Sequence, residues 1–235
     1  MTVSFIGSGN LAWHLAPALD NLGFVVKEVF SARQKNAAAL TERLYQAEVK
    51  QSLDFSDSPS DIFFIAVSDE AIADVAREII LPENSTLVHT SGSQPISLLQ
   101  FSATEHYGVF YPLQTFTKTR TINFKDVPVF IEASDAEAEK KLTTIAKALT
   151  KKYKKINSDE RKALHVSAVF ASNFPNHMLR IAKMLMDEKG LNFEWLKPVI
   201  LETISKALAT GPEYSQTGPA VRGDLEILDE HMKYL

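Results

Sequence analysis

The chain contains no cysteine. That absence excludes disulfides, thiolate nucleophiles, zinc sites built on sulfur and thiolate-held iron–sulfur clusters, and it suits a reducing compartment. No metal site is expected. A basic excess is also lacking: 25 Lys and Arg stand against 29 Asp and Glu, a formal charge of −4, so a general nucleic-acid binder is not expected. The dense basic run KKYKK at 151–155 reads as a solvated strand edge. No apolar run approaches the ~20 residues of a membrane span, and MTVSFIG at the start lacks the basic segment and apolar stretch of a signal peptide. A soluble, cytoplasmic protein without nucleic-acid or membrane partners is expected.

What is present is an ordinary globular composition, 45 % apolar and 23 % charged over 235 residues. That length supports one large domain or two modest ones around a sizeable core. Up to about Asn157, short apolar runs alternate with amphipathic segments, the rhythm of a parallel sheet. Strands are expected at Val3–Ile6, Val25–Phe30, Ile62–Val67, Thr86–His89 and Tyr107–Phe110, apolar enough to be covered on both faces. A further strand–helix–strand unit follows, VPVFIEA to YKKIN, its helix opened by a capping box from Ser134 to Glu137. Ala138, Leu142, Ile145, Ala146 and Leu149 form that helix's core face.

Beyond Asn157 the pattern is helical. One long helix is expected from Ser158 to Lys189, ending at Gly190, a second from about Phe193 to Thr210, and a third from Asp224 to the end. The expectation is therefore a Rossmann-type α/β domain, mainly parallel with helices on both faces, over 1–157, and a smaller all-helical domain over 158–235. So few residues cannot cover so long a helix, which points to a homodimer sharing these helices. Packing of the helix along its own α/β domain is the alternative.

Gly7-Ser8-Gly9-Asn10-Leu11-Ala12 follows the first strand and opens the first helix. The first glycine of such a G-x-G-x-x-A turn permits the bend, the second lets backbone approach a pyrophosphate, and the small third residue lets helix and strand pack closely. The helix start directs N–H groups and the positive dipole end at the anion. A dinucleotide is expected here, although a ligand-free β–α turn would read the same. The second strand ends in Phe30-Ser31-Ala32-Arg33, with Glu28 still inside the strand. An acidic tip reads a ribose 2′-hydroxyl, whereas Ser31 and Arg33 suit a 2′-phosphate, so NADP is favoured over NAD. Arg33 as a solvated helix-start residue is the alternative. Ala66, Val67 and Ser68 at the third strand end would let a ribose or nicotinamide pass, or serve packing against the first helix.

The fourth strand runs into LVHTSGSQP and the next into GVFYPLQTF. Strand ends of this kind line the ligand crevice of an open parallel sheet. Thr90 and Ser91 are placed against cofactor, and Ser93, Tyr111, Gln114 and Thr115 against substrate. His89 is a catalytic candidate, though a lone histidine there is more often structural. The long helix carries HVSAVFASNFPNH, in which His165, Ser172, Asn173, Asn176 and Arg180 share one side on a 3.6-residue period. Pro175 should bend that helix beside Asn173. His165 would donate the proton that accompanies hydride transfer, Asn173 would orient a substrate oxygen or the cofactor amide, and Ser172 would touch substrate. In the long loop at 211–224, Thr217 and Arg222 would reach an anionic group. Arg222 could equally pair with an acidic residue and fasten the loop.

FIGSGNLA, HTSGS, GVFYPLQTF, HVSAVFASNF and QTGPAVRGD together resemble the Rossmann-like NADP-binding proteins with a C-terminal domain of unknown function. These are relatives of pyrroline-5-carboxylate reductase, the deazaflavin-dependent NADP reductases and the β-hydroxyacid dehydrogenases. The resemblance spans essentially the whole chain and implies a dinucleotide fold, an NADP preference and a helical dimerisation domain. The β-hydroxyacid dehydrogenases carry a Lys and an Asn one turn apart on the domain-linking helix. This chain offers His165 and Asn173 two turns apart, so that chemistry does not transfer, and imine reduction stays open. The expected function is an NADP-dependent oxidoreductase for a small polar carbonyl, alcohol or imine. The alternative is a non-catalytic NADP(H)-binding sensor or regulatory homodimer.

Overall fold

Near-continuous apolar runs cannot be left half-exposed, and in the computed structural model, which describes residues 1–234, they become the inner strands of one sheet. β1 (Thr2–Ile6), β2 (Val25–Phe30), β4 (Ile62–Ile65), β5 (Thr86–His89) and β6 (His106–Pro112) correspond to the five expected runs. β7 (Val129–Ala133) and β8 (Tyr153–Lys155) follow. β3 (Glu48–Lys50) was not foreseen: EVK has no apolar run and pairs only at the sheet edge. The order is β3-β2-β1-β4-β5-β6-β7-β8, parallel except for β6 against β7. Chain order reverses direction between β1 and β4, and a doubly wound sheet opens its ligand crevice at such a switch point.

Helices α1 (Asn10–Asn21), α2 (Gln34–Thr41), α3 (Ile72–Glu78) and α4 (Ala136–Leu149) bring apolar stripes to the sheet. One core gathers Phe5, Leu15, Leu19, Leu40, Phe64, Phe110, Leu142 and Ile145. The other, on the opposite face, gathers Ile6, Phe55, Phe63, Ile65, Ile72 and Leu99. The cap of α4 differs from the expected capping box. Asp135 is the N-cap and accepts from the amides of Glu137 (2.8 Å) and Ala138 (3.0 Å), while Ser134 donates to Asp135. A carboxylate accepts two orphan amides at once, which a single hydroxyl does less well. A true capping box opens α5 (Ser158–Ala168), where Asn157 and Glu160 satisfy each other's backbone amides.

The expected long helix is three pieces: α5, a π-helical turn at Val169–Asn173, and α6 (Phe174–Glu188) with Pro175 in its first turn. Proline has no N–H to give the ladder, so the chain widens one turn and restarts with proline where no donor is needed. A single 3.6-residue period therefore does not run from His165 to Arg180. Gly190 takes φ +64° after α6, as a helix-ending residue does. α7 (Lys197–Thr210), the one-turn α8 (Pro212–Ser215) and α9 (Pro219–Arg222), and α10 (Leu225–Tyr234) complete the chain. The last residue assigned to that third helix, Leu235, lies outside the described residues.

By internal contacts the chain forms two compact units, Met1–Phe170 and Ala171–Leu235. Among the described residues no helix is long and apolar enough to cross a membrane, and no group of three metal-ligating side chains gathers.

Candidate functional site

A cavity of about 590 Å³ opens where β1, β2 and β4 end, bounded by Gly7–Leu11, Phe30–Ala32, Ala66–Ser68 and Thr90. The two glycines of the first turn serve different purposes. Gly7 has φ +109°, and a Cβ there would lie 2.3 Å from the carbonyl oxygen of Ala66, so the bend itself demands glycine. Gly9 has φ −70°, and its nearest neighbour to a Cβ is 3.7 Å away, so the fold would accept a larger residue. Gly9 is also the N-cap of α1, a position where Asp or Ser would satisfy an orphan amide. No side chain caps that helix, and its first turn holds no acid. Free amides, a positive dipole end and a missing side chain at the cavity wall form a cradle shaped for an anion.

At the β2 end, Ser31, Ala32 and Asn36 line the cavity. Arg33 is exposed at the N-cap of α2 and has no ion-pair partner among the described residues, but it is not a lining residue. Glu28 is spoken for within the sheet, bound by Lys50 (3.2 Å), Ser4 (3.1 Å) and Ser58, so no carboxylate stands at the strand tip. Two further lining residues, Asn36 and Lys118, escaped the reading of the sequence. Asn36 is one helical turn past Arg33, which periodicity could have flagged. Lys118 belongs to a distant loop and is 4.5 Å from the Trp13 ring centre, a contact only the fold creates.

A second polar group forms where β5 and β6 end. Ser91 accepts from the amides of Ser93 and Gln94, both at 3.1 Å, and Ser93 donates to Asp69. The Tyr111 hydroxyl lies 3.0 Å from His165 Nδ1, with the rings edge to face at 5.9 Å. Gly92 admits this pair, because a Cβ there would fall 2.5 Å from His165 Nδ1 and 2.7 Å from Tyr111 Cζ. Burial pushes the Tyr111 phenol up. His89 lies fully inside, and its Nδ1 accepts from the Ser91 amide at 3.2 Å. Burial, aided by the Arg161 charge, holds His89 down at about 3, so it stays neutral and shapes the turn without presenting a face to a ligand.

Arg161 is the largest fully buried side chain in the chain's described part. It pairs with Glu132 on β7 and donates to the carbonyl of Gln94, while Ser158 donates to Glu132 and receives the Ile96 amide. Of the remaining candidates, Gln114 and Thr115 are exposed and bound a separate hollow of about 570 Å³. In the second unit Ser172 donates to Asn173 (2.9 Å), Thr217 is exposed, and Arg222 pairs with Asp224 at 2.9 Å.

Comparison with known proteins fits this geometry. Residues 2–91 match the family described as "NADP oxidoreductase coenzyme F420-dependent", and residues 127–235 match a domain of unknown function, DUF2520. No curated protein matches the chain. Among solved structures, a Bacteroides fragilis protein provisionally named an NADP oxidoreductase is 36 % identical, with TM-score 0.90, over 100 % of this chain and 90 % of that one. The chain belongs to this NADP oxidoreductase family. Its fold also recurs in an Aspergillus terreus reductive aminase complexed with NADPH and ethyl-5-oxohexanoate (14 % identity, TM-score 0.69, 88 % of this chain, 74 % of that). A Myxococcus stipitatus imine reductase complexed with NADP+ shares it as well (17 %, 0.65, 91 % and 78 %). The cofactor expected from the β2 tip, NADP, is that of the family.

Proposed function

We propose that this protein is an NADP-dependent oxidoreductase acting on a small polar carbonyl, alcohol or imine, with residues 1–157 holding the cofactor and 158–235 serving substrate binding and dimerisation. The observation that carries the reading is Gly9: a helix start left uncapped and without a side chain, beside a cavity large enough for part of a dinucleotide, although the backbone would tolerate more. Gly7, Ser8, Gly9, Asn10 and Leu11 would embrace the diphosphate. Ser31 and Arg33, with Asn36 beside them, would take the 2′-phosphate. Ala66, Val67, Ser68, Thr90 and Ser91 would border the ribose and nicotinamide.

When bound, NADP(H) supplies or accepts a hydride. The chain must then handle the proton that accompanies it. His165 is the residue for this step, because its imidazole is partly accessible and an imidazole can both give and take a proton. Ser93 and Tyr111 would border the substrate, and Asn173, Ser172, Thr217 and Arg222 would contribute from the helical domain.

A homodimer belongs to the same reading. Among the described side chains of residues 171–234 none is fully buried, and Leu208, Leu201 and Trp195 are 84 %, 69 % and 67 % exposed. So much apolar surface in so short a segment calls for a covering partner, and a second copy of the same helices provides a self-complementary one.

The test is a nicotinamide-fluorescence titration with NADPH and NADH, followed by a panel of small ketones, aldehydes and cyclic imines with NADPH. Saturable binding that favours NADPH, and oxidation of NADPH by one member of the panel, is expected. Tighter binding of NADH would overturn the 2′-phosphate assignment, and absence of any dinucleotide binding would overturn the whole reading.

A further inference from the structure

Buried phenols do not leave their hydroxyl proton idle, since an unmet donor costs about 1–3 kcal/mol. Tyr111 is only 9 % exposed, and among the described residues its hydroxyl has a single hydrogen-bond partner, His165 Nδ1 at 3.0 Å. Burial raises the phenol further above its ordinary range, with Asp69 acting in the same direction and Arg161 against it, and the proton stays on oxygen. Tyr111 is therefore the donor and His165 Nδ1 the acceptor. A neutral imidazole that accepts at Nδ1 carries its own proton at Nε2.

We infer that Tyr111 is a positioning residue that fixes His165 in the Nε2–H form, so that His165 offers a hydrogen-bond donor to the substrate. This goes beyond the assignment of His165 as a proton-handling group and rests on it for the role, though not for the geometry. Three features make the arrangement rigid. Gly92 leaves room for the two rings and no more, since any Cβ would strike both. The rings meet edge to face at 68°. On α5, Ser158, Arg161 and His165 recur at helical spacing, and the first two are bound to Glu132, to Gln94 and to the Ile96 amide. A helix face that would ordinarily be apolar is thus polar, and its buried arginine anchors the turn that bears His165.

The chemistry that follows concerns the substrate. A neutral imidazole N–H polarises an atom with a free lone pair, as the neutral histidine of triosephosphate isomerase polarises a carbonyl. The recognised atom is then a carbonyl oxygen or an uncharged imine nitrogen, and a preformed iminium cation, which has no lone pair to offer, is disfavoured. No His165 partner at Nε2 occurs among the described residues, which leaves that donor available.

The experiment is long-range 1H–15N correlation NMR of 15N-histidine-labelled full-length protein at about pH 8, without cofactor or substrate. His165 is assigned by the signal lost in His165→Gln. The expected spectrum shows His165 as the Nε2–H tautomer, and Tyr111→Phe moves its two nitrogens toward the mixed values of a free imidazole. A dominant Nδ1–H tautomer in the unsubstituted protein overturns the inference, as does a folded Tyr111→Phe whose His165 signals are unmoved. The first of these results needs only the assignment variant, His165→Gln, to fold and not Tyr111→Phe. Loss of NADPH binding would remove the reductase reading and leave these spectra untouched, so the two failures are distinguishable.

Discussion

The two units obey different rules of burial. In Met1–Phe170 the sheet is enclosed on both faces by two cores, and Phe64 alone stacks on Phe5 (ring centres 5.1 Å) and meets Phe110 edge-on (5.8 Å). In Ala171–Leu235 the helices also carry leucines, methionines and aromatics, yet none of the described residues there is buried. The first unit carries its own stability within one chain. The second leaves its apolar side chains uncovered, which is the ground for the homodimer proposed above.

Substitution should expose this contrast most strongly in the first unit. Phe64→Ala should cost about 3–5 kcal/mol in a denaturant melt, from lost transfer energy plus the cavity left behind. Arg161→Ala should cost a similar ~3–5 kcal/mol, because Glu132 would stay half-buried without its partner. If either melt shifts by less than about 1 kcal/mol, the first unit is looser than its packing implies.

Acid gives the next effect. Unfolded, the His89 imidazole protonates near 6.5, whereas in the fold it resists until about 3. Between those values the unfolded chain binds more protons, so stability is full above about 6.5 and falls as pH drops toward about 3, by up to roughly 1.4 kcal/mol per unit. Unfolding measured across this window should show the slope in the natural protein and a flatter limb in His89→Gln. Equal slopes would place the burden elsewhere.

Arg33→Ala comes next, with NADPH affinity expected to fall about 10- to 100-fold, the range of one charge-assisted bond to phosphate, and NADH affinity unchanged. The smallest expected effect on unimolecular stability lies in the second unit. Leu208→Ala should alter it by no more than about 0.5 kcal/mol, while Leu208→Glu should lower the mass seen by sedimentation. A monomeric natural protein would break the comparison outright.

The layout of the first unit was legible because its strands are apolar on both faces and its helices carry clean stripes: IFFI at 62–65 and the Ala138–Leu149 stripe read directly. β3 was not, since Glu48–Lys50 is short and charged and exists only because β2 offers it an edge. Ser134 looked like a cap on spacing, but the competing carboxylate one residue on took the amides. The π-turn before Pro175 was foreseen only as a bend, because sequence marks where a ladder fails and not how it is repaired. At the candidate site, the glycine turn announced itself locally. The Tyr111–His165 contact joins residues of two distant segments, and nothing in HTSGS ties Gly92 to either ring. Its role as the space for two rings required their coordinates.

One substitution weighs most on the central idea that α1 is left bare to receive a diphosphate. Gly9→Asp supplies the missing N-cap and, in the same stroke, a negative side chain in the cradle. The expected result is a melting temperature unchanged or slightly raised together with NADPH affinity reduced at least 100-fold. Undiminished NADPH binding by the stably folded variant would contradict the account.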